Sequence, residues 1–215
     1  MFRSMAVLAS VAMLAVGAAA CGDDEDQSSA ARSATQPEPV AQIDTLTGKS
    51  TDVMLDGGFV EALGTLKLTP APVGDGKITG AGVARFPITG GNVTYYEPGT
   101  VSPFVQGEID HSGGLSLTGG GKKVELTNFK IDPGASVLTG DVSVDGASAA
   151  EQAPLFFLDG STLNPLQAGE GTAVLEGTTV ELKAEAAQLL NDTFGVTALE
   201  EGLPIGIAKI TINTR

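Results

Sequence analysis

The sequence predicts an all-β fold, an antiparallel β-sandwich or flattened barrel that carries one or two short helices. Short runs with alternating apolar and polar residues recur along the chain, and turn residues separate them. The composition agrees with this pattern, because 29 of the 215 residues are Gly and only 5% are aromatic. Many short strands separated by turns are typical of antiparallel sandwiches and barrels.

Residues 1–20 have the layout of a secretory signal peptide. Arg3 precedes an apolar run that is too short for a comfortable membrane span, and small residues follow it. The letters GAAAC then resemble the lipobox of bacterial lipoproteins, with Ala18 where that motif more often has Leu. The resemblance implies that Cys21 is acylated and anchors the mature protein on the outward face of a bacterial cell membrane. The alternative is an ordinary secretory signal that leaves Cys21 as a stray thiol.

Residues 21–40 are predicted to be an acidic, disordered tether. They show no apolar period, and the consecutive acids at 23–26 repel one another and extend the segment. Such a run is more often simply solvated than a metal site. With 12 basic and 26 acidic residues, the whole chain has a formal charge of -14. Nucleic acid is therefore excluded as a partner, because phosphate binding needs clustered Lys and Arg.

Residues 41–215 are predicted to form a single β-rich domain. Its strand-like runs are GTLKLTP (64–70), KITGAGVARFPITGG (77–91), NVTYYE (92–97), GGLSLTG (113–119), KVELTNFKID (123–132), ASVLTGDVSVDG (135–146) and IAKITINT (207–214). Strict alternation in the run 123–132 places Asn128 on the face of Leu126 and Phe129 on the opposite face. A helix is expected near 185–194, with Gly195 as its C-cap.

The stretch 104–146 resembles the core of the HtaA-type domain of Gram-positive cell-surface haem-uptake proteins. It contains His-Ser-Gly-Gly, then Leu-Ser-Leu, then an Ile-Asp pair, and finally a Leu-x-x-x-Val pattern, and the flanking segments are also similar. The resemblance spans most of residues 50–213. It implies a β-sandwich or flattened barrel with a short helix near each end. It also implies haem held by an axial tyrosine, with His111 matching the histidine that hydrogen-bonds this tyrosine.

The axial tyrosine itself is missing from its expected place. In the family it lies in an early helical segment of the type Phe-Arg-x-Tyr, where this chain has Phe59 and then Ala62. Tyr95 and Tyr96 are the only tyrosines, and adjacent strand residues face opposite sides, so one of them can enter a ligand pocket. The alternative is that one packs in the core and the other lies at a sheet edge. The alternative for His111 is an exposed turn residue beside two glycines. We therefore expect haem binding to be weak at most.

Two classes of function remain, and an enzyme is not expected. The first is a tethered binding module for haem or another flat apolar ligand, with His111, Tyr95 and Tyr96 as candidate site residues. The second is a structural or interaction protein of the envelope that has kept the fold and lost the ligand. No catalytic residue or metal site is predicted: His111 lacks a nucleophile motif, and the letters DVSVDG (141–146) indicate a hairpin turn rather than a calcium loop.

Overall fold

The computed structural model describes residues 37–214. The predicted signal peptide, Cys21 and most of the predicted tether lie outside the described residues. The described chain is mostly strand with two helices, which confirms the predicted all-β class. In chain order the elements are β1 (Ala41–Ile43), β2 (Lys49–Leu55), α1 (Gly57–Thr65), β3 (Thr69–Val73), β4 (Lys77–Ile78), β5 (Val83–Tyr95), β6 (Val105–His111), β7 (Gly114–Gly119), β8 (Lys122–Asp132), β9 (Val137–Val144), β10 (Ala147–Asp159), β11 (Gln167–Gly169), β12 (Thr172–Leu182), α2 (Ala184–Phe194) and β13 (Pro204–Asn213).

Eight antiparallel strands close into a barrel. Their order around the ring is β5, β2, β13, β12, β10, β9, β8 and β6, and β6 then pairs with β5 to complete it. Closure leaves no open edge within the ring, so the backbone groups of these strands find partners on both sides. The remaining strands attach outside the ring: β1 and β4 pair with β5, β11 pairs with β12, and β3 joins β8 through β7.

A bulge in β8 alters which side chains face the barrel interior. Asn128 has a left-handed φ of 52°, and the register between β8 and β9 shifts between Thr127 and Lys130. Asn128 is exposed and donates a 2.7 Å hydrogen bond to Asp141. Phe129 is consequently buried on the same side as Leu126. The predicted strict alternation through Asn128 was therefore wrong, because the extra residue of the bulge changes the parity of the strand.

The strand predicted over 64–70 is instead the end of α1 followed by a turn. Asp56 caps this helix, since its carboxylate accepts a 3.1 Å hydrogen bond from the backbone N–H of Phe59. Phe59 and Leu63, one helical turn apart, are both buried. Strand pairing begins only at β3. The alternating leucines that suggested a strand belong to the helix C-terminus and the turn.

The other local predictions are mostly confirmed. Helix α2 ends at Gly195, which adopts a left-handed φ of 67° as expected for a C-cap. Asp145 and Gly146 form the turn between β9 and β10, with φ values of 51° and 84°. Within residues 37–214, neither helix has the length and hydrophobicity needed to cross a membrane.

Candidate functional site

Three cavities follow one another along the barrel interior. The first has a volume of about 170 Å³ and lies between the two helices and the adjoining strands. The middle cavity is only about 50 Å³, and the large cavity at the other end is about 490 Å³. Strand β13 shows their order, because Ile205 lines the first and middle cavities, Ala208 the middle and large ones, and Ile210 the large one.

His111 lies in the wall of the middle cavity and is only 6% exposed. Its Nδ1 is 3.2 Å from the carbonyl oxygen of Phe129, and its Nε2 is 2.7 Å from the hydroxyl of Thr51. A carbonyl can only accept, so Nδ1 carries the proton and donates to Phe129. Nε2 is then the acceptor for the Thr51 hydroxyl. Both ring nitrogens are therefore engaged within the protein.

Burial lowers the pKa of His111 to about 4, and the carbonyl of Phe129 and the charge of Asp110 only partly oppose this effect. The imidazole is therefore neutral at pH 7. The expectation of an exposed turn residue was wrong. Strand β6 continues through His111, so this side chain shares the inward face of Ile109, two residues earlier. The turn follows it, at Gly113, whose φ is 78°.

The two tyrosines face opposite sides of the end of β5, as adjacent strand residues should. Tyr95 is 7% exposed, lines the large cavity and packs edge-to-face against Phe104 with ring centroids 5.9 Å apart. Within residues 37–214 its hydroxyl has no hydrogen-bond partner in the protein. Tyr96 is half-buried and does not line that cavity; its backbone N–H donates to the carbonyl of Phe104. Of the two, only Tyr95 is placed to meet a ligand.

The large cavity has an uncharged lining and opens to solvent at one end. Several lining residues at this opening, the mouth, are themselves exposed, namely Gln42, Ser102, Pro103, Gly160 and Thr214. Its floor is formed by side chains shared with the middle cavity, namely Ile131, Leu158 and Ala208. The polar groups in the wall are hydroxyls and one amide. The volume of about 490 Å³ falls within the usual range of small-molecule sites, roughly 300–1,000 Å³.

The candidate site residues do not share one cavity. His111 lines the middle cavity, Tyr95 lines the large one, and helix α1 contributes Phe59 to the first. Sequence reasoning missed the large cavity, whose lining comes from strands far apart in the chain. A partial signal was Val93, two positions before Tyr95 on β5, since both side chains line the large cavity.

Comparison with solved structures identifies the architecture. The C-terminal domain of HtaA from Corynebacterium glutamicum superposes with a TM-score of 0.57 at 16% identity, covering 79% of this chain and 98% of that domain. This chain has the HtaA fold. The heme binding protein HtaB from the same organism gives a TM-score of 0.50 at 14% identity, covering 80% of this chain and 94% of its own. No protein-family model matches the sequence, and no curated protein matches it. The predicted resemblance is thus confirmed at the level of the fold.

The residues present do not form the haem site that the HtaA-type resemblance implied. Helix α1 is in the expected place, but Ala62 has no donor atom for iron. His111 cannot serve a tyrosine, because Phe129 and Thr51 already occupy both of its nitrogens. Tyr95 is the remaining phenol facing a cavity, and that cavity has no cationic lining residue to pair with the propionates of haem. Haem therefore does not fit the tyrosine-histidine arrangement in this HtaA-fold chain.

Proposed function

We propose that this protein is a non-enzymatic binding module of the HtaA fold that takes an uncharged, apolar ligand into its large cavity. The observation that carries the proposal is the cavity itself, which holds about 490 Å³ and has no charged side chain in its lining. We further propose that an acylated Cys21 holds this module on the outward face of a bacterial membrane.

The aliphatic side chains of the cavity wall are partly exposed to solvent, and this exposed apolar surface favours an apolar ligand. Several aliphatic side chains that point into the barrel are only half-buried, among them Val93, Leu175 and Ile210. Apolar cavities hold water poorly, since water there finds few hydrogen-bond partners. For a ligand that covers this surface, each methylene that leaves water contributes about 0.8 kcal/mol of favourable binding free energy.

The state of the candidate acid-base groups supports binding rather than catalysis. General acid-base catalysis needs a group that can exchange a proton with the substrate. Both nitrogens of His111 are held by Thr51 and Phe129, and burial keeps the ring neutral. Tyr95 reaches the large cavity, but His111 lies in a different one. The two side chains therefore do not form a catalytic pair.

A fluorescent probe tests this proposal. N-phenyl-1-naphthylamine is flat and uncharged, and its emission rises when it leaves water. We expect saturable binding at one site in the chain that begins at residue 21 and carries Cys21→Ser. Ile210→Trp should abolish binding because the bulkier indole projects into the large cavity and obstructs it. Ile207→Trp is the matched control, since Ile207 lies on the same strand but is 42% exposed on its outer face.

Haem is the second candidate ligand, because one of the solved relatives is a heme binding protein. The same preparation should be titrated with hemin and compared with Tyr95→Phe. We expect weak binding and no tyrosinate-type absorption band. Tight binding that disappears in Tyr95→Phe would make haem the ligand. Failure of both hemin and the naphthylamine to bind would favour the alternative, an envelope interaction protein that has lost its ligand.

A further inference from the structure

We infer that the large cavity is a tail pocket, which holds the hydrocarbon chain of a lipid with an uncharged polar end. The inference rests on the proposed function, because it names the chemical class of the ligand for the same site. The shape of the cavity, the character of its wall and the charges at its mouth each point to this class.

The cavity is long in the direction of the barrel strands. Along β13 and the residue that follows it the lining runs from Ala208 at the floor to Thr214 at the mouth, and six residue steps of a strand span roughly 20 Å. The cavity is deepest along this wall, since near β10 the lining rises only from Leu158 to Gly160. The interior of an eight-stranded barrel is just wide enough for one small ligand. A long and narrow space of this kind suits a single extended chain.

The wall of the cavity offers a ligand apolar contacts and few hydrogen-bonding groups. Along the depth of the cavity the side chains are mostly aliphatic, for example Ile109, Leu158 and Ile212. The exposed polar residues of the lining lie at the mouth, namely Gln42, Ser102 and Thr214. Deeper in the cavity Thr178, paired with Ala208, adds a hydroxyl to the wall. This distribution matches a molecule with an apolar body that enters first and a polar end that stays near solvent.

The charges around the mouth favour an uncharged polar end. Asp44 directly follows Ile43, Asp159 directly precedes Gly160 at the mouth, and Asp132 directly precedes the lining residue Pro133. The cation Lys49 begins β2 beside Ile212. The cations on the outer face farther down are already paired, with Lys130 contacting Glu108 and Lys209 contacting Glu176. The local excess of carboxylates repels a carboxylate or phosphate on the ligand.

A chain-length series tests the inference. Saturated primary alcohols from octanol to hexadecanol are used to displace N-phenyl-1-naphthylamine from the Cys21→Ser chain. Each added methylene should tighten binding by up to about fourfold, until the chain fills the cavity and the affinity levels off. The fatty acid of the same length should bind more weakly than the alcohol, because its carboxylate meets the acids at the mouth.

Variants locate the floor of the pocket. Leu at position 208 adds an isopropyl group at the floor, so Ala208→Leu should move the plateau to a shorter alcohol. Ile210→Trp should abolish displacement, and Ile207→Trp should leave the whole series unchanged. The length dependence in the unsubstituted chain stands as a test even if Ala208→Leu fails to fold.

The outcomes separate the tail pocket from the proposed function. Naphthylamine binding that no alcohol displaces, or an affinity that does not change with chain length, would overturn the tail pocket and leave the proposed apolar-ligand function standing. Hemin that displaces the probe better than every alcohol would also overturn it. Absence of probe binding together with absence of alcohol binding would overturn both.

Discussion

At the scale of single residues, His111 shows how a polar group becomes part of an apolar interior. Its two nitrogens satisfy the Thr51 hydroxyl and the Phe129 carbonyl, so three polar groups are buried without a loss of hydrogen bonds. A buried polar group is tolerated only when such partners are present. His111 therefore contributes to the stability of the barrel rather than to a ligand site.

Replacing His111 should destabilise the protein substantially. We expect His111→Ala to lower the free energy of unfolding by about 2–4 kcal/mol, because it leaves two buried polar groups unpaired and enlarges the middle cavity. The measurement is urea denaturation followed by circular dichroism. Ser112→Ala, one position along and outside the barrel interior, is the control and should change little. A loss below about 1 kcal/mol would mean that this site relaxes around the cavity.

The stability of the protein should also depend on pH through His111. Burial lowers the pKa of His111 to about 4, from the ordinary value of 6.5. Between these values the unfolded chain binds a proton that the native chain resists, so stability falls as the pH drops from 6.5 to 4. The loss is at most about 3 kcal/mol. The measurement is made from pH 6.5 to about 5, because Asp52, Asp141, Asp145 and Asp159 also have lowered pKa values and lose stabilisation below that range. Over this interval the unfolding free energy should fall in the unsubstituted chain and fall less in His111→Asn.

The sequence singled out His111 as a candidate residue but did not predict that its side chain is buried. Residues 105–111 were not among the predicted strand-like runs, so the shared inward face of His111 and the buried Ile109 on β6 was not anticipated. The adjacent glycines suggested an exposed turn, since glycine pairs usually mark turns. Thr51 lies sixty positions earlier in the chain than His111. Its contact with the imidazole ring depends on pairing between distant strands, which local sequence patterns do not encode.

At the scale of elements, sequence patterns located several of the strands and missed others. Strand β8 was found, but its bulge at Asn128 reversed the expected face of Phe129. Strand β2 matched no predicted run, and strand β10 was also missed altogether. Its register with β9 shifts three times, and its first half is a run of Ala, Glu and Gln without an apolar period. Bulges are fixed by the partner strand as much as by the strand itself.

Strand β13 is the element on which closure of the barrel depends. It pairs with β12 on one side and with β2 on the other. A chain truncated after Leu203 should therefore not fold, because the backbone groups of both neighbours lose their partners. Thermal unfolding measures this, and removal of Thr214 and Arg215 alone is the control. A cooperative transition that survives the longer truncation would show β13 to be peripheral.

At the scale of the whole molecule, the proposed anchor determines where the protein acts. The lipobox-like sequence before Cys21 predicts acylation, and two or more acyl chains hold a protein durably on a membrane. Cys21→Ser should therefore release the protein from the membrane fraction into the soluble fraction. Fractionation and immunoblotting of both forms in a bacterial host measure this. A variant that sediments with membranes as the unsubstituted protein does would contradict the anchor.

Strand β1 contributes to the mouth of the large cavity without belonging to the closed ring. It pairs with β5 over only three positions, on the edge opposite β6, and its residues line the mouth. Detaching β1 thus costs three pairings and leaves the eight-stranded ring intact. We therefore expect different residues to control the rate of ligand exchange and the melting temperature. Pro in place of Gln42 should accelerate probe release in stopped-flow measurements while the melting temperature stays nearly constant, so exchange can be tuned by mutation without loss of the fold.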